Sequence, residues 1–454
     1  MSGRFTAPAI TAMTPGDAPA RSWARSGLMA LTGPVDAAPV VPEFDVMAGI
    51  ESLIAQLVES AARCGRNLHG DLRWFTERAA LQGLSRRGQV SCNGSCRLVA
   101  ARDGWIAVNL PRAADIECVP AFVGAREDEE PWSAIETRAR TLSCAELVET
   151  GRLLGLAVAE VPALRDDRAV APWTGEVAPL LRLGAARPVV PRDGSRDPPL
   201  VIDLTALWAG PLCGHLLAAA GARVIKVESR GRPDPVRESL PAMFSLLNGG
   251  KESVVLDFTR AADLERLRGI VARADLVIGS ARPRAFEQLG LAPEVLIARH
   301  PGLSWVAITA CGWTGAARNA VGFGDDAAVA GGLLAQDAAG RPVFLGDALA
   351  DPLTGIAAAA GAFTALAQGG GLLVDAALSR TAAFVAAGRR LDAGERGRVE
   401  WRDSEWWLAV AGHRERVAPP GARPAAAPAR DFGADTARVL TEFDATPCRG
   451  PEAA

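Results

Sequence analysis

The 454-residue chain has no tyrosine, only four histidines, no large surplus of charge of either sign and no long run of large apolar side chains. With 49 Lys+Arg against 52 Asp+Glu and a pI near 6, no global field draws it to nucleic acid or to an acidic membrane surface. The small-apolar run GIAAAAGAFTALA at 355–367 reads as too short and too alanine-rich to span a bilayer. The first twenty residues lack a charged segment followed by a leucine-rich one. The expectation is a cytoplasmic protein with neither membrane nor nucleic-acid partners. Eight cysteines are scattered through a chain too long to need disulfide staples, so reduced thiols are expected. Cys92 and Cys96 in CNGSC resemble half a zinc site, but no second Cys or His pair stands at ligand spacing, and no metal is expected. His69, His215, His300 and His413 lie in no motif and read as surface or packing residues. The absence of a G-x-S-x-G elbow disfavours a serine hydrolase. Eleven tryptophans without a tyrosine carry no functional reading.

What is present is a chain with 49% apolar residues, enough for two or three compact domains. From about residue 199, short apolar runs (PLVIDLT, RVIKVE, SVVLDF, DLVIGS, LSWVAIT) alternate with helical stretches, which predicts right-handed βαβ crossovers and a buried parallel sheet. Upstream, 46–82 reads as helical and 88–110 as antiparallel strands around the Asn93-Gly94 turn, followed by another helical stretch. A Pro- and charge-rich connector, AARPVVPRDGSRDPP, separates the halves. The expected organisation is a loose tail over 1–20, a module over 21–184 containing a small α+β domain, a linker over 185–199, a Rossmann-like domain over 200–390, and a C-terminal remnant and tail over 391–454. The fold class is α/β, a Rossmann-like parallel sheet with a smaller α+β domain.

Three pairs of segments repeat at offsets near three hundred: SGLMALTG (26–33) with GGLLAQDAAG (331–340), DVMAGI (45–50) with DPLTGI (351–356), and WIAV (105–108) with WLAV (407–410). That spacing predicts a duplicated module whose first copy is missing everything upstream of its SGL. The first copy has no acid just before Ser26, whereas GFGDDAAVAGGLL in the second carries Asp325 and Asp326. The strand-turn-helix-strand around Gly210, ending at Glu228, has the outline of a dinucleotide site, but G-x-G-x-x-G is absent, so a nicotinamide-dependent oxidoreductase is weakly supported.

Seven ordered blocks resemble the class III CoA-transferases, the CaiB/BaiF family: VIDLTALWAGPLCGHLLAAAGARVIKVE, PDPVR (233–237), LNGGKESVVLDF (247–258), ARPRAFEQLGL (281–291), ITACGWTG (308–315), GGGLLVDAALS (369–379) and DFGADTARVL (431–440). The first half is similar only to the downstream part of that family, so a partial copy is expected to be fused to a second one, as a homodimer or an intrachain pseudo-dimer. The resemblance implies an enzyme that moves CoA from an acyl-CoA to a carboxylic acid through an aspartyl-CoA thioester, with coenzyme A as substrate and no metal. The family's nucleophile is an aspartate shortly before SGL. Strict alignment falls on Gly324, and the acids follow, so Asp325 is the first choice and Asp326 the second. A carboxylate suits the task because it can take the acyl group and then CoA on one side chain. DDAA also fits the start of a helix running through AAVAGGLLAQ, with Asp326 as its cap. The resemblance further implies that Arg237, Lys251 and Arg282 hold CoA phosphates, with Gly210, Gly331 and Gly332 allowing close approach. Acyl-CoA isomerase or racemase activity, and non-catalytic CoA binding, are the alternatives.

Overall fold

The computed structural model describes residues 18–162, 176–187 and 198–445. Residues 1–17, most of the expected linker and the last nine residues lie outside them. The helix Pro19–Arg25 begins inside the expected tail.

The first half builds a three-stranded antiparallel sheet from β1 (Cys96–Ala100), β2 (Trp105–Asn109) and β3 (Ala157–Glu160), then β4 (Leu180–Arg182). The chain does reverse at Asn93-Gly94, where Ser91 N–H donates to the Cys96 carbonyl, but only an isolated Val90–Arg97 bridge forms there. Regular pairing crosses Arg102-Asp103 instead, because that register buries Val99, Ile106 and Val108 together against Phe122, Ile135 and Leu147.

The second half contributes β5 (Leu200–Leu204), β6 (Arg223–Ser229), β7 (Glu252–Leu256), β8 (Leu276–Gly279), β9 (Ser304–Thr309), the hairpin β10 (Leu334–Gln336) and β11 (Pro342–Phe344), then β12 (Leu372–Ala377). It closes with the antiparallel strands β13 (Arg398–Arg402), β14 (Glu405–Val410) and β15 (His413–Arg416). The main sheet runs β4-β12-β9-β8-β5-β6-β7 and is parallel except for β4 at the edge. Counted from β5, its parallel strands follow the doubly wound 3-2-1-4-5-6 order, and the order reverses between β5 and β8. Alternate strand residues feed two cores: Val201, Ile278, Val306 and Val374 face one layer, and Ile202, Val277, Trp305 and Leu373 face the other.

Two eighteen-residue helices, Val46–Arg63 and Ala350–Ala367, pack against each other on the first face, and the second also packs on the helix Ala209–Ala219. Gly355 permits that approach, since a Cβ there would stand 2.7 Å from the Ala209 carbonyl oxygen. The helix Ala350–Ala367 is longer than the apolar run in it, and by length and composition it is able to cross a membrane; here 78% of it is buried inside the fold. The repeated segments occupy corresponding elements: DVMAGI and DPLTGI open the paired helices, and WIAV and WLAV lie in β2 and β14.

Lys251 anchors this layer. Its buried ammonium donates to Asp203 Oδ2 at 2.7 Å, the Pro211 carbonyl at 2.9 Å and Asn248 Oδ1 at 2.9 Å, which uses all its protons. Lys251→Met leaves Asp203 buried without its cation, so the expected loss is about 3–5 kcal/mol. Urea unfolding checks this, and an unchanged midpoint would contradict it.

Candidate active site

The acid pair sits at the start of a short helix, Gly324–Ala330, after a β-conformation Phe323. Asp326 is the third helical residue, and its Oδ1 accepts the Phe323 N–H at 3.0 Å. The expected helix through GGLLAQ stops at Ala330, because Gly332 is left-handed (φ 76°) and Leu334–Gln336 pairs with β11. Asp325 is not left free by this arrangement: its Oδ1 accepts the Ala348 N–H at 2.9 Å. Ala348 holds a strained φ of 44°, so a turn over 346–350 is bent to present Asp347, that amide and Asp351 to the helix start.

The first half of the chain completes this cluster. Its small sheet covers the helix, with Leu98, Ala107 and Val161 packed on Val329, Leu334 and Phe344. From the end of β2, Asn109 Nδ2 donates to Asp326 Oδ1 at 2.8 Å. From the helix Glu77–Gln82, Arg78 Nε donates to Asp347 Oδ2 at 2.7 Å, and the guanidinium lies 5.1 Å from the Trp208 ring. Burial is the main reason the carboxyl groups ionise late. It pushes Asp325 up to about 6 against the pull of Arg78, and Asp326 up to about 7 against the hydrogen bonds from Asn109 and Phe323. Asp351 rises to about 7, again through burial first, with Arg78 opposing and the other three acids adding.

The remaining expected residues are dispersed. Arg237 pairs with Glu228, donates to the Arg430 carbonyl and lies over the Phe244 ring. Lys251 is in the core described above. Gly210 packs on Thr205 and Gly331 on the helix Leu378–Ala386, where a Cβ would stand 2.3 Å and 2.6 Å from protein atoms; Gly332 has open space apart from Pro162. Arg282 is exposed at the carboxyl end of β8, next to the point where the strand order reverses. Partial burial first, then Arg284, Arg112 and Arg232, hold its pKa below the ordinary value, so four guanidinium groups share this end of the sheet. Arg232, Arg282 and Arg284 have no carboxylate partner among the described residues. The first βα turn beside them is strained, with Leu207 at φ 71° and its N–H on Asp234 Oδ1. Cys92 and Cys96 are buried, and no group of three or more potential metal ligands occurs among the described residues.

Residues 199–407 match the family model described as CoA-transferase family III. This segment belongs to that family. A succinyl-CoA–D-citramalate CoA-transferase from Chloroflexus aurantiacus is 34% identical over 42% of this chain and 50% of its own length. An acyl-CoA transferase from Fusarium pseudograminearum is 32% identical over 40% of this chain and 44% of its own length. A mouse alpha-methylacyl-CoA racemase is 33% identical over 25% of this chain and 28% of its own length. The chain thus spans half or less of each of these relatives.

The sequence pointed to the acid pair in this segment but missed Asp347 and Asp351 beside it, and Arg78 and Asn109, which come from the first half of the chain. The repeat at DPLTGI was the one available signal for Asp351. Nothing local marks Arg78 or Asn109, since each reaches the site from over two hundred residues away.

A carboxyl whose folded pKa is raised binds its proton more tightly in the folded state. The stability it adds is fully present below the ordinary value of 3.8 and is lost as pH rises through about 7 for Asp326. Asp326→Asn keeps the hydrogen bonds and removes the ionisation. Its Tm should exceed that of the unmodified protein by about 3 °C at pH 8 and match it near pH 4. Thermal unfolding at both pH values checks this; an equal shift at both would show that ionisation is not the cause.

Proposed function

We propose that the chain transfers CoA between an acyl-CoA and a carboxylic acid by way of an aspartyl-CoA thioester, and that its two halves act as a fused pair completing one site. The observation that carries this reading is the buried acid cluster around Gly324, which draws its counter-charge and one amide donor from the other half of the chain. The unpaired arginines at the switch point of the parallel sheet suit the phosphates of CoA, with Arg282 as expected from sequence and Arg232 and Arg284 beside it. A cytoplasmic location and soluble small-molecule partners belong to the same proposal.

The chemistry balances without an added reagent. A carboxylate oxygen of the carrier aspartate adds to the thioester carbonyl, the C–S bond breaks, and CoA leaves as thiolate, giving an acyl-aspartyl anhydride. The thiolate then adds to the aspartyl Cγ, the anhydride C–O bond breaks, and the donor acid departs as carboxylate. An acceptor carboxylate reverses both steps. Water must be kept from the anhydride, which the burial of the cluster favours.

Exchange of radiolabelled succinate or acetate into the matching acyl-CoA tests the reading. Label should appear in the thioester without net release of CoA. No exchange across a panel of acyl-CoAs, in protein that still binds CoA by calorimetry, would instead make the chain a CoA-binding relative. The double variant Arg282→Ala/Arg284→Ala should weaken CoA binding by about 10-fold or more, the loss of charge-assisted phosphate contacts. An unchanged Kd would remove these arginines from the site.

A further inference from the structure

The four carboxyl groups around Gly324 are not equivalent. Asp325, Asp326 and Asp347 are 4%, 4% and 0% exposed. Each is also engaged: Asp325 by the Ala348 amide, Asp326 by Asn109 and Phe323, and Asp347 by Arg78. Asp351 is partly exposed, and its carboxylate makes no hydrogen bond or ion pair among the described residues. It stands in the first turn of the helix Ala350–Ala367, and its Oδ2 lies 2.5 Å from the place a Cβ on residue 324 would take. The missing side chain at Gly324 therefore leaves the space that the Asp351 carboxylate fills. A side chain aspartate at 324 has no room there, because the Ala348 carbonyl oxygen is equally close.

A second observation lies on the same cluster. Asn109 is 1% exposed, and while its Nδ2 is held on Asp326, its Oδ1 has no partner. A buried acceptor left unmet by the fold costs stability unless a donor arrives from outside it. An amide-bearing thioester substrate carries such a donor.

Resting on the CoA-transferase reading, we propose that Asp351, rather than Asp325 or Asp326, is the catalytic carboxylate that carries the covalent intermediate. An Asp351 oxygen forms the bond to the acyl carbon as the C–S bond breaks. Its Cγ then takes the CoA sulfur as the acyl carboxylate leaves. Asp325 holds the turn over 346–350 through the Ala348 amide, and Asp326 holds the Asn109 amide in place. They are positioning residues, and this separates the acid pair from the reacting atoms by one short turn of chain.

The test uses the full chain, incubated with succinyl-CoA or acetyl-CoA and trapped with hydroxylamine, with fragment spectra assigning any hydroxamate to one residue. The expected result is a hydroxamate at Asp351, absent in Asp351→Asn, whose exchange rate falls by about 100-fold or more. A hydroxamate at Asp325 or Asp326 overturns this assignment and leaves CoA transfer standing. If exchange occurs without a trapped adduct, Asp351→Asn decides: a variant with native circular dichroism and undiminished exchange also overturns it. Absence of both adduct and exchange in the unmodified protein overturns the transferase reading itself.

Discussion

Arg78 reaches from a six-residue helix in the first half of the chain into a space where the second half has gathered four aspartates. Like charges in a buried space repel, and desolvation adds to the cost of ionising each. One guanidinium cannot neutralise four carboxylates, so it holds Asp347 in a two-pronged pair and leaves the others to take up protons near neutral pH. The surrounding features follow from that constraint. Trp208 gives the guanidinium an aromatic face, Ala348 accepts a strained backbone to aim its amide at Asp325, and the small sheet seals the helix start from water.

The same contact explains why the halves are informative only together. The helices Val46–Arg63 and Ala350–Ala367 are equal in length, begin with related sequences and pack on one another, joined also by a Cys64 Sγ hydrogen bond to the Phe363 carbonyl. A module with its neighbour removed would expose that apolar helix face and the acid cluster together. Packing and charge compensation thus both join the first half of the chain to the second.

Beside the acid cluster, at the carboxyl end of β8, the charge is reversed. Arg112 connects the two regions, lying over the Phe323 ring just ahead of the acid helix while contributing to the cationic surroundings of Arg282. Arginines at the strand ends thus stand beside a cluster of carboxyl groups, next to the point where the strand order reverses.

The parallel strands were legible in the sequence because each is a short apolar run bounded by turn residues, a local property that survives any packing. The acid pair was legible for the same reason, since two adjacent aspartates framed by glycine and alanine stand out in one window. Lys251 shows the limit: the family resemblance implied a phosphate ligand there, whereas the fold places it against Asp203 in the core. Likewise Asp351 looks like an ordinary helix-start residue until the space at Gly324 is known. The sequence by itself determined strand order signals, the apolar faces and which residue types were available for acyl chemistry. Only the tertiary structure decided which carboxyl group is open, which cation faces it and which half supplies it, because burial and charge pairing depend on contacts between residues hundreds of positions apart.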